Sequence, residues 1–385
     1  MKRETGMGVA LLAMCVALYA SNPDFLGASN SINTFRQISM LGIFAIGIGF
    51  VIITGGIDLS IGSIIGLTGV LIAKLSSPSC LGLSLWVGIP VALGIALTIG
   101  LIQGLLITRL GLQPFIVTLG GMLLIRGLSQ TIAEGGTLSL SGSPLLDFAN
   151  GGYVQVHGAA LLPYPLVLFL FVIGIATYVL HFTVYGRYVY AIGGNRDAAE
   201  YSGINVKRVE ASTYLISAGT AGIAGVCYAA YIGQMSQQVG IAYELYAIAA
   251  AVLGGCSLRG GEGTVLGIVI GSAVMRVIDN GINMFQLHYV DADQVPRIWR
   301  LNPNWTYIII GGVILVAVIL DQTVHLVQAK RRIRAAGALA EAQKAAHTAA
   351  ANDAAAKSGA NGPSAPPPPV VTPPHEPAGQ HGDQP

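Results

Sequence analysis

Ten apolar segments, most of them long enough to cross a bilayer as a helix, constrain the fold of this chain more than any other feature. A helix needs about 20 mostly apolar residues to span the hydrocarbon core. The segments lie near residues 7–20, 38–54, 60–75, 84–107, 114–132, 161–181, 211–231, 243–257, 263–285 and 305–320. The second and eighth are short, as expected of broken or re-entrant segments, whose backbone must be satisfied by protein or a water-filled cavity.

The scarcity of charge supports a membrane protein. Only 10% of the 385 residues are charged, whereas a soluble domain carries about 25%. This excludes an ordinary soluble enzyme, and the continuous apolar runs argue against a β-barrel, whose strands alternate. The net charge of +2 gives no reason to expect nucleic acid as a partner.

Basic residues predict the orientation of the spans. With a cytoplasmic N-terminus, the inner loops carry 12 Lys and Arg and the outer loops carry 4, which agrees with the positive-inside rule. The predicted fold is therefore an all-α, polytopic membrane protein with about ten transmembrane helices and both termini cytoplasmic. Residues 1–20 also resemble a signal peptide, since Lys2 and Arg3 precede a short apolar run; cleavage would leave the other nine spans unchanged.

Two parts of different composition follow from this pattern. Residues 1–329 form the transmembrane domain, with sizeable outer loops at 133–160 and 286–304. Residues 330–385 form a cytoplasmic tail that is basic, then Ala-rich, then Pro-rich, and we expect it to be disordered. The tail is interpreted as a solvated appendage, with a docking arm as the alternative.

The sequence contains no catalytic or nucleotide-binding motif. It has no Gly-Lys pair, hence no P-loop, and neither GxSxG nor HExxH occurs. The four cysteines are scattered without metal-ligand spacing, so no metal site is expected. These absences favour transport without chemistry on the substrate, by a protein that is not an enzyme and binds no cofactor directly.

The largest inner loop, 182–210, contains a short helix with signals at both ends. Gly193 and Gly194 interrupt the chain, Asn195 is placed to cap a helix over 196–202, and Asp197 favours its first turn. Gly203 provides a stop. A capped helix on the cytoplasmic face predicts a docking element for a cytoplasmic partner; an ordinary basic loop is the alternative.

Asp58 is the second notable feature, because a carboxylate within the bilayer costs about 2.5–3.5 kcal/mol. It follows Gly55 and Gly56 between two apolar segments. Two interpretations are compatible: a helix cap receiving hydrogen bonds from amides near Ile61, and a position at a cytoplasmic gate. The candidate residues for a gate or a transport path are Gly55, Gly56, Asp58, Ser60, Glu244, Asp279 and Asn280.

Small residues four apart predict packing seams. One seam contains Gly62 and Gly66, and the other contains Gly263, Gly267 and Gly271, which serve packing within the chain or a subunit interface. Arg276 and Asp279 are spaced to pair on one helix face. Glu244 and Arg126 are further candidates for pairing.

Residues 55–62 (GGIDLSIG) and 254–261 (GGCSLRGG) share four positions, Gly55/Gly254, Gly56/Gly255, Leu59/Leu258 and Gly62/Gly261. Both precede a Gly-rich apolar segment, and both lie on the predicted inner side. Such similarity is consistent with a faint internal repeat, as transporters often have.

Four strings in the order of the chain resemble the ribose/xylose/arabinose-type permeases of bacterial ABC importers. They are GGIDLSIGS, PFIVTLGGMLLIRG (114–127), AIGGNRDAAEYSGINV (191–206) and VLGGCSLRGGEGTVLG (252–267). The resemblance covers about 38–285 and a final span. The chain departs from the pattern of that family in two places: the connection 286–304 is longer, and a tail is added after residue 330.

The resemblance implies a multi-pass permease subunit of the bacterial inner membrane that imports a monosaccharide or polyol. Its implied partners are a cytoplasmic ATPase that binds ATP and Mg²⁺, a periplasmic sugar-binding protein, and a second permease copy or paralogue. The implied ATPase-coupling residues are Gly193, Gly194, Asn195, Arg196, Asp197, Ala198, Ala199, Ser202 and Gly203. The alternatives are an ion-coupled secondary transporter using Asp58, Glu244 or Asp279, and a non-transporting membrane scaffold.

Overall fold

The computed structural model describes residues 2–290 except 78–79, 149–152 and 157–158, then residues 296–300 and scattered residues between 302 and 349. The helices as far as Met284 are α1 (Lys2–Ser21), α2 (Ala28–Ile53), α3 (Ile61–Ser76), α4 (Leu85–Leu110), α5 (Pro114–Ile132), α6 (Tyr164–Thr177), α7 (Val184–Gly194), α8 (Arg196–Tyr201), α9 (Val206–Ile232), α10 (Tyr243–Leu253) and α11 (Val265–Met284). A 3₁₀ turn, Pro23–Leu26, joins α1 to α2, and α6 continues into a π-helix, Tyr178–Phe182.

Local sequence explains many of the helix ends. Pro114 occupies the first turn of α5, where its missing N–H costs nothing. The Ser84 hydroxyl accepts from the Trp86 amide at 3.3 Å and caps α4. Gly111 and Gly233 end α4 and α9 with φ of +68° and +70°, a conformation that glycine adopts at little cost.

The core lies around α2 and α3. Every residue of α2 from Ile38 to its end is buried, as is every residue of α3 from Ile61 to Val70. Helices α9, α10 and α11 pack around them with smaller buried faces. By contrast, α4, α5 and α6 expose large apolar side chains along their length, as lipid-facing helices do.

Seven helices of the described part are long and apolar enough to cross a membrane, and α3 and α10 are shorter apolar helices. A polytopic, all-α membrane protein fits this architecture. The prediction that the second segment is short was wrong: α2 has 26 residues, because the polar stretch from Ala28 to Gln37 is also helical. The eighth segment is short, as predicted, since α10 has 11 residues.

The strands are short and lie in the connections. Within the described residues, β1 (Leu138–Ser139) pairs with β4 (Gln234–Met235), and β2 (Tyr153–Val156) pairs with β3 (Ala159–Pro163). In the 286–304 connection, β5 (Gln286–Val290) and β6 (Pro296–Arg300) form an antiparallel hairpin. Of the predicted last span, 305–320, the structure describes 305–306, 308–313, 315–316 and 319, and all of these residues are helical. Most of the tail, 330–385, lies outside the described residues.

The two predicted packing seams have different contacts in the structure. Gly267 and Gly271 do lie on α11, facing the backbone oxygens of Gly254 and Ala250 at the end of α10. Gly263 lies before α11 with φ of +151°, so it is not part of the helix face. Gly62 and Gly66 contact the segment leading into α10 rather than another long helix: a Cβ on Gly66 would lie 2.7 Å from the Val239 oxygen.

Candidate functional site

Three glycine-rich segments that are far apart in sequence meet at one end of the helix bundle. A Cβ placed on Gly260 would lie 2.9 Å from the amide nitrogen of Gly55 and 3.0 Å from the Cα of Gly193. One placed on Gly261 would lie 3.0 Å from the amide nitrogen of Gly194. These distances leave no room for a side chain at Gly260 or Gly261, whose Cβ positions face the backbone of Gly55, Gly193 and Gly194. The backbone-to-backbone contact of these five glycines is here named the glycine junction.

A hydrogen bond across the junction ties the end of α2 to the segment before α11. The Gly261 amide donates to the Ile53 oxygen at 2.8 Å. A Cβ on Gly193 would contact both of these atoms, which places Gly193 directly against the bond. The last turn of α7 is therefore packed onto the end of α2.

The two segments of the predicted repeat have the same backbone hydrogen bonds. The structural correspondence is shifted by one residue from the sequence match, because Gly55 corresponds to Gly255 rather than to Gly254. At the end of α2, the amides of Gly55 and Gly56 donate to the oxygens of Ile52 and Val51, both at 2.9 Å. At the end of α10, the amides of Gly255 and Cys256 donate to Val252 and Ala251 at 2.9 Å. Both helices end in a Schellman motif with glycine at positive φ, +84° at Gly55 and +91° at Gly255.

Helix α8 begins and ends as its sequence predicts. The Asn195 side chain accepts from the Ala198 amide at 2.9 Å, and Gly203 follows the helix with φ of +82°. Ala199 is buried and holds α8 against the bundle, whereas Arg196, Asp197, Ala198 and Ser202 are exposed.

Tyr201 is a candidate that sequence reasoning missed. It lies at the end of α8, and 92% of its surface is exposed. An aromatic side chain exposed to this degree on a helix that packs through one alanine is typical of an interaction anchor. No sequence signal distinguished it, because exposure depends on how α8 packs.

An ion pair joins α8 to α9. Arg196 Nε and Nη2 donate to the two Glu210 carboxylate oxygens at 2.9 and 3.2 Å, an arrangement that fixes orientation as well as distance. The Arg196 side chain is 50% exposed and that of Glu210 14%. The hydrogen bonds to Glu210 raise the pKa of the Arg196 guanidinium above its ordinary value.

Asp58 is fully buried between α2 and α3, and three donors satisfy its carboxylate. Oδ1 accepts from the Ser60 amide at 2.9 Å and the Ser60 hydroxyl at 2.7 Å, and Oδ2 accepts from the Ser217 hydroxyl of α9 at 2.7 Å. The expected hydrogen bond from an amide near Ile61 is present, since the donor is Ser60, but Ser60 and not Asp58 occupies the N-cap position of α3. Asp58 instead closes a local turn and ties it to α9.

One face of α9 connects the ion pair to Asp58. Glu210, Tyr214 and Ser217 are spaced over seven residues, about two helical turns. A Cβ on Gly56 would lie 2.5 Å from the Tyr214 hydroxyl, so this face contacts the segment between α2 and α3 at Tyr214 as well as at Ser217. Beside it lies a cavity of about 360 Å³, lined by 54–56, 111–114, Arg196, Glu210 and Tyr214.

Glu244 and Arg126 do not form an ion pair with each other. Arg126 donates to the oxygens of Gln237, Val239 and Gly240 at 3.2, 2.9 and 3.1 Å and fixes the segment before α10. Glu244 is 9% exposed and faces Gly62 at the start of α3. Glu244 is therefore separate from the glycine junction.

Asp279 and Asn280 lie elsewhere, on the second half of α11. Arg276 Nη1 donates to Asp279 at 3.2 Å, which confirms the predicted pair, and Nη2 donates to the Tyr228 hydroxyl at 3.1 Å. Asn280 and Asn30 donate to each other at 2.7 and 3.1 Å. These contacts join α11 to α9 and α2. Of the gate candidates, Gly55 and Gly56 lie beside the coupling segment, and Asp58 and Ser60 follow them in the same connection.

Known proteins share this sequence over most of its length. The family described as "Branched-chain amino acid transport system / permease component" matches residues 30–318. The ribose import permease protein RbsC of Haemophilus influenzae is 36% identical over 280 residues, 72% of this chain and 85% of its own length. No solved structure shows a significant match.

Two further relatives are named for other sugars. The galactose/methyl galactoside import permease protein MglC of Salmonella typhimurium is 33% identical, over 83% of this chain and 94% of its own length. The D-allose transport system permease protein AlsC of Escherichia coli is 35% identical, over 82% of this chain and 90% of its own length. The chain therefore belongs to the family of transport-system permease components that includes the permease subunits of bacterial sugar ABC importers.

Proposed function

We propose that this chain is the membrane-spanning subunit of an importer that moves a monosaccharide or related polyol into the bacterial cytoplasm, driven by a separate ATPase. The glycine junction carries the proposal, because it joins a capped, exposed helix to the segment that holds Asp58. The names of the relatives, which specify ribose, galactose and allose, support the substrate class.

The proposed orientation has ten spans and both termini in the cytoplasm of a bacterial inner-membrane protein. The structure supports the assignment of these connections to a single side of the membrane, because the connections after α2, α4, α7 and α10 meet at one end of the bundle. At that end we place the ATPase, with its ATP and Mg²⁺, against α8. We place a periplasmic sugar-binding protein at the opposite end and a second permease copy or paralogue beside the chain.

In this mechanism α8 receives the movement of the ATPase. The Arg196–Glu210 pair transmits it to α9, and the junction transmits it to the end of α2. Both routes lead to residues 54–60, because Tyr214 and Ser217 contact that segment. The neighbouring cavity of about 360 Å³ gives the segment space to move. No chemistry occurs on the sugar, so access alternates around an unmodified substrate.

Uptake into proteoliposomes tests the energy source. The vesicles contain the permease and its ATPase, with binding protein and labelled ribose, galactose or allose outside. We expect uptake of at least one sugar to require enclosed ATP and Mg²⁺ and to persist with a protonophore. Uptake without ATP that a protonophore abolishes would instead establish ion-coupled transport through buried carboxylates such as Asp58 or Glu244.

A single substitution tests the docking role of α8. Tyr201→Ala is expected to weaken binding of the ATPase at least about tenfold, because a central aromatic anchor contributes more than 1.4 kcal/mol. Trp86→Ala is the matched control, since Trp86 is 91% exposed but begins α4 at the opposite end. Copurification and titration of the ATPase measure the effect. Equal affinities of the two variants, or normal binding after replacing 195–203 by a Gly/Ser linker, would contradict the assignment.

A further inference from the structure

A second cavity, of about 510 Å³, lies between α4 and α9 and is distinct from the one beside the junction. Its wall combines three leucines, Leu101, Leu105 and Leu215, with three basic residues, Arg109, Lys207 and Arg208. Leu101 and Leu105 are 44% and 38% exposed, so the apolar part opens at the surface of the bundle. The basic residues are exposed and sit where α4 ends and α9 begins.

The packing of the two helices creates this groove. A Cβ on Gly100 would lie 2.8 Å from the backbone oxygen of Tyr214, and one on Gly104 would lie 2.7 Å from the backbone oxygen of Ala211. The helices therefore approach backbone to backbone along this line. Leu101 and Leu105 follow these glycines directly, so they line the adjacent side of the contact.

The three cations have no counter-charge in the part of the chain that the structure describes. Arg109, Lys207 and Arg208 form no ion pair there, and no acidic residue lines the cavity. The carboxylate nearest to them along α9, Glu210, pairs with Arg196 and lines the other cavity. The groove is thus cationic at one end and apolar along its length.

We propose that this groove binds one anionic phospholipid of the inner leaflet. Its phosphate contacts Arg109, Lys207 and Arg208, and an acyl chain lies along Leu101, Leu105 and Leu215. The proposal rests on the orientation given above, which places the end of α4 at the cytoplasmic headgroups. Basic pockets between helices on that side bind acidic headgroups, and each Lys or Arg adds roughly a fivefold gain in affinity. A soluble anion would satisfy the cations but leave the leucines uncovered.

Native mass spectrometry of the full-length protein in detergent tests the proposal with added phosphatidylglycerol or phosphatidylethanolamine. The wild type is expected to retain one phosphatidylglycerol in preference to phosphatidylethanolamine. The single variant Arg109→Gln is expected to lose affinity about fivefold, and the triple variant Arg109→Gln/Lys207→Gln/Arg208→Gln about 100-fold. Arg187→Gln is the matched control, because Arg187 is an exposed cation on α7 outside the groove, and it should bind as the wild type does.

Four results would overturn the proposal. The first is equal retention of the two lipids, and the second is equal affinity of Arg109→Gln and Arg187→Gln. The third is displacement of the lipid by millimolar inorganic phosphate, which would indicate a site for a free anion. The fourth is displacement by the ATPase, which would assign the groove to that subunit. Because the assay contains neither sugar nor ATP, its failure is distinguishable from failure of the proposed transport function.

Discussion

Replacing Gly193 with alanine is expected to reduce sugar uptake to below about a tenth of wild type. The added methyl group would overlap the Ile53 oxygen and the Gly261 nitrogen, the two atoms of the hydrogen bond across the glycine junction. Both are backbone atoms, so no side chain can rotate away, and overpacking of this kind costs about 1–3 kcal/mol or more. The end of α7 must then separate from α2, which removes the direct route from α8 to residues 54–60.

The adjacent residue provides the control. A Cβ on Gly194 has nothing within 4 Å, so Gly194→Ala should leave uptake and stability unchanged within about 0.5 kcal/mol. Uptake into proteoliposomes and thermal unfolding in detergent are measured for both variants, together with copurification of the ATPase. We expect Gly193→Ala to keep its ATPase, because α8 and its cap are unaltered. Equal uptake by the two variants would show that the junction does not transmit movement.

Two substitutions of Asp58 are expected to show whether its carboxylate has a structural role or carries an ion. Asp58→Leu leaves the buried donors of Ser60 and Ser217 without an acceptor, and we expect it to destabilise the protein by about 3–5 kcal/mol and abolish uptake. Asp58→Asn has nearly the same shape and retains an acceptor oxygen. Its uptake should stay within about tenfold of wild type, because the proposed mechanism needs the hydrogen bonds and not a proton on the carboxylate.

Thermal unfolding and uptake of the two Asp58 variants are compared with those of Glu134→Gln. Glu134 is an exposed carboxylate that pairs with Lys74 at 2.8 Å, so its substitution should change neither quantity measurably. Loss of uptake in a stably folded Asp58→Asn protein would support an ion-coupled transporter. Normal stability of Asp58→Leu would show that the three hydrogen bonds are not needed to hold the segment.

Features encoded within a few residues were predictable from the sequence. The Asn195 cap, the stop at Gly203 and the Arg276–Asp279 pair all depend on neighbours within one or two turns, and the structure contains each of them. The start of α2 was missed because its first ten residues are largely polar and give no apolar signal. They are helical because they continue the buried part of α2.

Contacts between distant residues were not predictable. The three segments of the junction are separated by well over 50 residues, and Asp58 meets Ser217 across 159 positions. Each glycine pair was visible as a break in the chain, but nothing local indicated that the three pairs meet. The partners of Arg126 are backbone oxygens, which no pairing rule for charged side chains identifies.

The glycine junction also has an entropic consequence. A contact between side chains must reorder rotamers when it shifts, and each ordered side chain costs up to about 2 kcal/mol. The glycines at 55, 193, 194, 260 and 261 have no rotamers, so a change in the angle between α7 and α2 alters backbone torsions only. The glycine junction therefore fixes where the segments touch while leaving their relative rotation inexpensive, a property suited to the turning that the proposed mechanism requires in each transport cycle.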